Sequence, residues 1–109
     1  MDDEEIELHS PTLKDKIKEI ENMDEVTLRD TIELMNHPDY KARFIAEYMQ
    51  LKIRYNSLHK MLVKYEAGTL NFTPTCNISI LEGQAYDMEN YLKALEVRAE
   101  IENIKLPRI

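Results

Sequence analysis

Residues 38–66 read PDYKARFIAEYMQLKIRYNSLHKMLVKYE, and within them Phe44, Tyr48, Leu51, Tyr55, Leu58, Leu62 and Tyr65 recur at alternating steps of four and three. That spacing places one apolar stripe along a long α-helix. Ala67-Gly68 closes the stretch, because glycine just past a helix end accepts the left-handed backbone of a C-cap. Residues 69–76, with Pro74 among them, cannot continue a helix and form a connection. A second stripe of Ile78, Leu81, Ala85, Met88, Leu92, Leu95 and Ala99 then runs through residues 77–103. Two matched heptad stripes on consecutive helices predict a long antiparallel helical hairpin, and so an all-α fold.

The register of this hairpin follows from the sequence, since facing residues in an antiparallel pair have numbers with a constant sum. Pairing Tyr65 with Ile78 sets that sum at 143 and gives every seam residue an apolar partner, Tyr55 facing Met88 and Phe44 facing Ala99. On the flanks it brings Lys52 to Glu89, His59 to Glu82, Glu47 to Arg98 and Arg54 to Tyr91. The first arm is predominantly basic and the second predominantly acidic, which favours this pairing. Ile45, Met49 and Ile53 on the first arm, with Val97, Ile101 and Ile104 near the second, cluster far from the connection and need a cover. A short helix over residues 27–36 can hide part of them, and a homo-oligomer is expected to bury the rest.

Outward toward the N-terminus, Thr27 and Asp30 have the spacing of a capping box, with Leu28, Ile32 and Met35 at helical spacing until Asn36-His37-Pro38 stops them. Ser10-Pro11-Thr12 reads as a cap followed by a helix carrying Leu13, Ile17 and Ile20 as far as about Glu21. Residues 1–27 are thus expected to be an acidic leader with a short helix, and residues 28–109 the hairpin domain. Two glycines and four prolines in 109 residues suit this helical reading.

The net charge of −7 comes from the leader, since acids and bases balance over residues 31–109. No surplus of Lys and Arg is available for duplex nucleic acid. No apolar run reaches the roughly 18 residues of a membrane span, the start Met1-Asp-Asp-Glu-Glu is unlike a secretory signal, and Cys76 has no internal disulfide partner. A cytoplasmic protein without membrane contact is expected.

Classical catalysis has no foothold in the chain. It has no phosphate-cradling Gly-rich loop, nucleophile elbow or paired zinc motif, and its histidines stand far apart at positions 9, 37 and 59. The expectation is no catalytic residue, no metal and no cofactor. His37 reads as a capping residue, His59 as a flank residue bonded to Glu82, and Cys76 as structural. Three of the six tyrosines, Tyr48, Tyr55 and Tyr65, belong to the seam. Tyr40, Tyr86 and Tyr91 lie outside it. With Arg43, Arg54, Lys60 and Lys64 they offer aromatic faces and cations that could stack a base and neutralise phosphate. The same side chains could instead be covering apolar seams. Phe72 in the connection is either a plug for the hairpin end or part of such a site.

The residues Asp39-Tyr40, Arg43-Phe44, Glu47-Tyr48, Arg54-Tyr55, the block Lys64-Tyr65-Glu66-Ala67-Gly68-Thr69-Leu70 and the run from Leu95 to Glu100 resemble a family of small proteins from gut bacteriophages and prophages. That family is labelled as related to a crAss-like phage protein. The resemblance spans residues 28–106, and relatives carry a proline where this chain has Asn77. It implies a phage origin and a helical hairpin. Small oligomeric hairpins from phages are similar in outline to viral sponges that sequester cyclic nucleotide or cyclic ADP-ribose signals of bacterial immunity. The expected function is therefore capture of a small nucleotide signal without cleavage, with a protein-interaction module as the alternative.

Overall fold

The computed structural model describes residues 12–109. These contain four α-helices and no strand: α1 (Leu13–Glu21), α2 (Ile32–Met35), α3 (Tyr40–Ala67) and α4 (Ile78–Glu102), with a 3₁₀ turn at Leu28–Thr31 leading into α2. The long helices α3 and α4 pack antiparallel as a hairpin. The reading of Ser10 and Pro11 as a helix start lies outside the described residues. The observed cap of α1 is Thr12, whose hydroxyl accepts from the Asp15 N–H at 3.1 Å while its own N–H donates to the Asp15 carboxylate at 3.3 Å.

Each end of the hairpin helices has a local cause. The His37 ring accepts the Asp39 N–H at 3.0 Å, and Asp39 Oδ1 caps the start of α3 through the Lys41 N–H at 3.0 Å. Gly68 ends α3 with φ of 77°, and the Thr69 N–H reaches back to the Lys64 carbonyl at 2.9 Å. Asn77 caps α4 by accepting the Ser79 N–H at 2.8 Å. That is a job proline could not do with a side chain. Asn103 then ends α4 in the left-handed region with φ of 60°, and the Ile104 N–H bonds back to the Ala99 carbonyl.

Cross-helix hydrogen bonds report the register. Tyr48 donates to Glu96 at 3.2 Å, Tyr55 to Glu89 at 2.5 Å and Tyr40 to Glu102 at 2.6 Å. Their residue sums of 144, 144 and 142 lie about the expected 143, while the fourth cross-helix bond, from Tyr91 to Glu47, has a sum of 138. The flank partners differ from those expected, because long tyrosine side chains reach the carboxylates first. Glu89 takes Tyr55 rather than Lys52, and Glu47 takes the Tyr91 hydroxyl rather than Arg98. Arg98 instead pairs with Glu102 one turn on, at 2.9 Å, and its guanidinium lies 4.6 Å from the centre of the Phe44 ring. His59 stacks on Tyr55 with centroids 5.6 Å apart. No bond from His59 to Glu82 is among the described ones.

The core gathers at the end of the hairpin far from the connection. Ile45 and Met49 are fully buried there, against Ile17 and Ile20 of α1, Leu34 of α2 and Ile104 after α4. The expected cover by the segment 27–36 is observed, since α2 and the 3₁₀ turn before it pack on α3, and α1 and the C-terminal segment add to it. Pro107 is fully buried, and the Arg108 N–H donates to Glu21 at 3.2 Å, tying that segment to α1. Thr31 is fully buried beneath α2, where its hydroxyl donates to the Leu28 carbonyl and accepts from Gln50 at 2.9 Å. Both its polar partners are therefore supplied. Val97 and Ile101 stay exposed on α4.

Candidate functional site

The covering elements stop short of the connection, and the space they leave is a groove. The segment from Ile20 to Val26 forms one wall. Residues between Ile53 and Lys64 of α3, Thr69 to Phe72 of the connection, and Arg108 and Ile109 line the rest. Its volume is about 730 Å³, within the range of small-molecule sites.

The groove is lined by charges of both signs. Lys60 and Lys64 stand one helical turn apart on α3, and Arg108 adds a third cation from the C-terminal segment. Glu21, Asp24 and Glu25 also line the groove, and Glu21 adjoins Arg108 through its backbone bond. Asn56, Ser57, Thr69 and Asn71 add neutral hydrogen-bonding groups, while Ile53, Met61 and Phe72 provide apolar surface. Phe72 is 55% exposed, so its ring face is open to a stacking partner. Cations, hydroxyls and an open aromatic face around an apolar floor suit a ligand with a flat ring and negative charge.

Of the eight residues expected to bind, three meet here: Lys60, Lys64 and Phe72. The other five are placed elsewhere. Tyr40 and Tyr91 spend their hydroxyls on Glu102 and Glu47 across the hairpin. Arg43 donates to the carbonyls of His37 and Pro38, both at 2.8 Å, and so closes the turn before α3. Arg54 is exposed on α3 outside the groove, and Tyr86 is 65% exposed on α4.

Ionisation in the described residues follows the tyrosine–glutamate bonds. Burial, with Glu96 beside it, pushes the Tyr48 phenol up to about 12. Tyr40, Tyr55 and Tyr91 are also raised, in each case chiefly because a carboxylate accepts the phenolic hydrogen. The Tyr40 hydroxyl, followed by Arg98, lowers Glu102. These groups staple the hairpin. No described cluster of His, Cys, Asp and Glu has the makings of a metal site.

Arg108, Asn56 and Ser57 were not foreseen. Asn56 and Ser57 belong to the outer face of α3, which heptad analysis treats as solvent. Arg108 enters only through the turn at Asn103, and a single arginine near a chain end carries no periodic signal.

The described residues thus form an all-α hairpin with an open groove on its outer face. A family model described as Sequestin matches residues 38–101, more than half of the chain, and the protein belongs to the Sequestin family. The name suggests binding and sequestering of a partner molecule. The matched segment contains all eight candidate residues, whereas Arg108 and the wall formed by residues 20–26 lie beyond it. No curated protein and no solved structure matches the chain. No helix among the described residues is long and apolar enough to cross a membrane.

Proposed function

We propose that this protein captures a cyclic or related nucleotide immune signal and holds it without cleavage, acting for a phage in the cytoplasm of its host. The observation that carries the reading is the meeting of Lys60, Lys64 and Phe72 at one groove, cations for phosphate beside an open ring for a base. Membership of a family named for sequestration supports it. Stoichiometric capture fits the groove's chemistry, which offers neutral donors and cations to a bound ligand.

Calorimetry against cyclic dinucleotides, cyclic trinucleotides and ADP-ribose derivatives tests the proposal, together with recovery of the ligand after denaturing the protein. The expected result is about one ligand per groove, returned chemically intact. Replacing Lys60 and Lys64 together by alanine should weaken binding at least tenfold while leaving the melting temperature nearly unchanged, since both are exposed. Absence of heat from every member of the panel with folded protein refutes the reading.

Self-association has its own observation. Ile80, Tyr86, Val97 and Ile101 leave apolar surface exposed along α4, and a second copy is the proposed cover. Light scattering of the wild type and of Val97→Glu/Ile101→Glu would decide, with a dimer or higher oligomer expected to fall to monomer. The same surface suits a host or phage protein, and a monomeric wild type would favour that alternative.

A further inference from the structure

We infer that the pocket where α1, α3 and the C-terminal segment meet is the docking site of the chain's own residues 2–8. Its volume is about 270 Å³. Leu13 and Ile17 of α1, Ile45 of α3 and Ile104 after α4 supply its apolar surface, and the three isoleucines are buried. Lys14 and Lys18, one turn apart on α1, line it together with Lys41 at the start of α3 and Lys105 of the C-terminal segment. Lys14, Lys18 and Lys105 are exposed and Lys41 is half-buried, so the apolar surface lies within and the cations toward solvent. No acid is among the described residues of this lining, in contrast to the groove beside α3. Lys41 also attracts Glu102, whose carboxylate is taken up by Tyr40 and Arg98. A small apolar pocket edged by cations from three elements fits an acidic peptide that carries an apolar side chain.

The chain carries such a peptide beside the pocket. Residues 2–8 read DDEEIEL, five carboxylates around Ile6 and Leu8. Leu8 stands five positions before Leu13, which itself lines the pocket, so an extended chain places it up to about 18 Å away and any fold in the chain brings it closer. Covalent attachment gives an effective concentration on the order of millimolar, an advantage that a separate peptide of the same chemistry lacks. Exposed ion pairs are weak singly, so burial of Ile6 or Leu8 against Ile17, Ile45 and Ile104 anchors the segment while the lysines select an acidic one. Docked there, residues 2–8 tie together α1, α3 and the C-terminal segment at the buried end of the hairpin.

The test compares amide NMR signals of the full chain with those of Ile6→Ser/Leu8→Ser, which keeps all five acids and changes no residue of the pocket. The serine variant should shift the signals of Ile45 and Ile104, far from the substitutions in sequence, and leave those of Ser57 and Lys60 in the groove in place, which also reports that it is folded. In a Lys14→Glu/Lys105→Glu background, where like charges repel the segment, the same serine substitutions should move Ile45 and Ile104 no further. Tenfold dilution should leave the wild-type signals unchanged, as docking within one chain requires. Identical Ile45 and Ile104 signals in the wild type and the serine variant overturn the inference. So does a serine effect that is undiminished in the charge-reversed background, because the lysines would then select nothing. Wild-type signals that move on dilution toward those of the serine variant assign the pocket to the same segment of a second copy and overturn docking within one chain.

Discussion

The two ends of the hairpin carry the same heptad pattern and are packed differently. At the end far from the connection, Phe44, Tyr48, Leu95 and Ala99 are buried, because α1, α2 and the C-terminal segment lie over the adjacent face of α3. Toward the connection Leu58, Leu62, Leu81 and Met88 are only half-buried, and Tyr65, a seam residue by its spacing, is 46% exposed. Two helices cover one stripe of each other and no more. A third layer decides which part becomes a core, and where that layer ends the groove begins.

The largest effects should separate the two ends. Met49→Ala, at a fully buried site, should cost about 2–5 kcal/mol in urea denaturation, whereas Leu62→Ala near the connection should cost well under half as much. Equal losses would mean that the half-buried end is covered in solution, by a second copy for instance. Next, Gly68→Ala should cost about 1–2 kcal/mol by forcing a side chain into a left-handed conformation, with no steric clash since nothing lies within 4 Å. A smaller loss would place the flexibility of the loop end above that of its cap.

Tyr48→Phe probes the staple between the ends and should cost about 1 kcal/mol at neutral pH, since Glu96 keeps solvent while the buried site loses one bond. Its pH dependence has a definite sign. The phenol titrates at about 12 in the folded chain against about 10 unfolded, so its stabilising contribution is complete below pH 10 and is lost as pH rises toward 12. Tyr48→Phe should therefore show shallower alkaline destabilisation than the wild type over that window. The raised phenols of Tyr40, Tyr55 and Tyr91 act in the same direction and leave a residual slope.

Much of the fold was legible beforehand because helices α3 and α4 are governed by local rules: a period of 3.6 residues, a glycine C-cap, side-chain N-caps. The elements expected at residues 38–66 and 77–103 are observed at Tyr40–Ala67 and Ile78–Glu102. The register was legible too, since pairing Tyr65 with Ile78 gives every seam residue an apolar partner. The flank pairs were not. A phenol and an ammonium compete for the same carboxylate, and which wins depends on side-chain reach that spacing does not encode. Likewise the heptad residues of the seam told nothing of which outer-face residues would be roofed.

By itself, then, the sequence determined the helices, their caps, their antiparallel pairing and the supply of cations and aromatic rings. The tertiary structure alone decided that Lys60, Lys64 and Phe72 share a groove while Tyr40, Arg43 and Tyr91 serve the hairpin itself. It also decided that Arg108 joins that groove. The reason is physical: periodicity specifies which side of a helix is apolar, but the position of a third layer depends on long-range contacts made by Ile17, Ile20, Leu34, Ile104 and Pro107. Those contacts leave no repeat in the chain to be read.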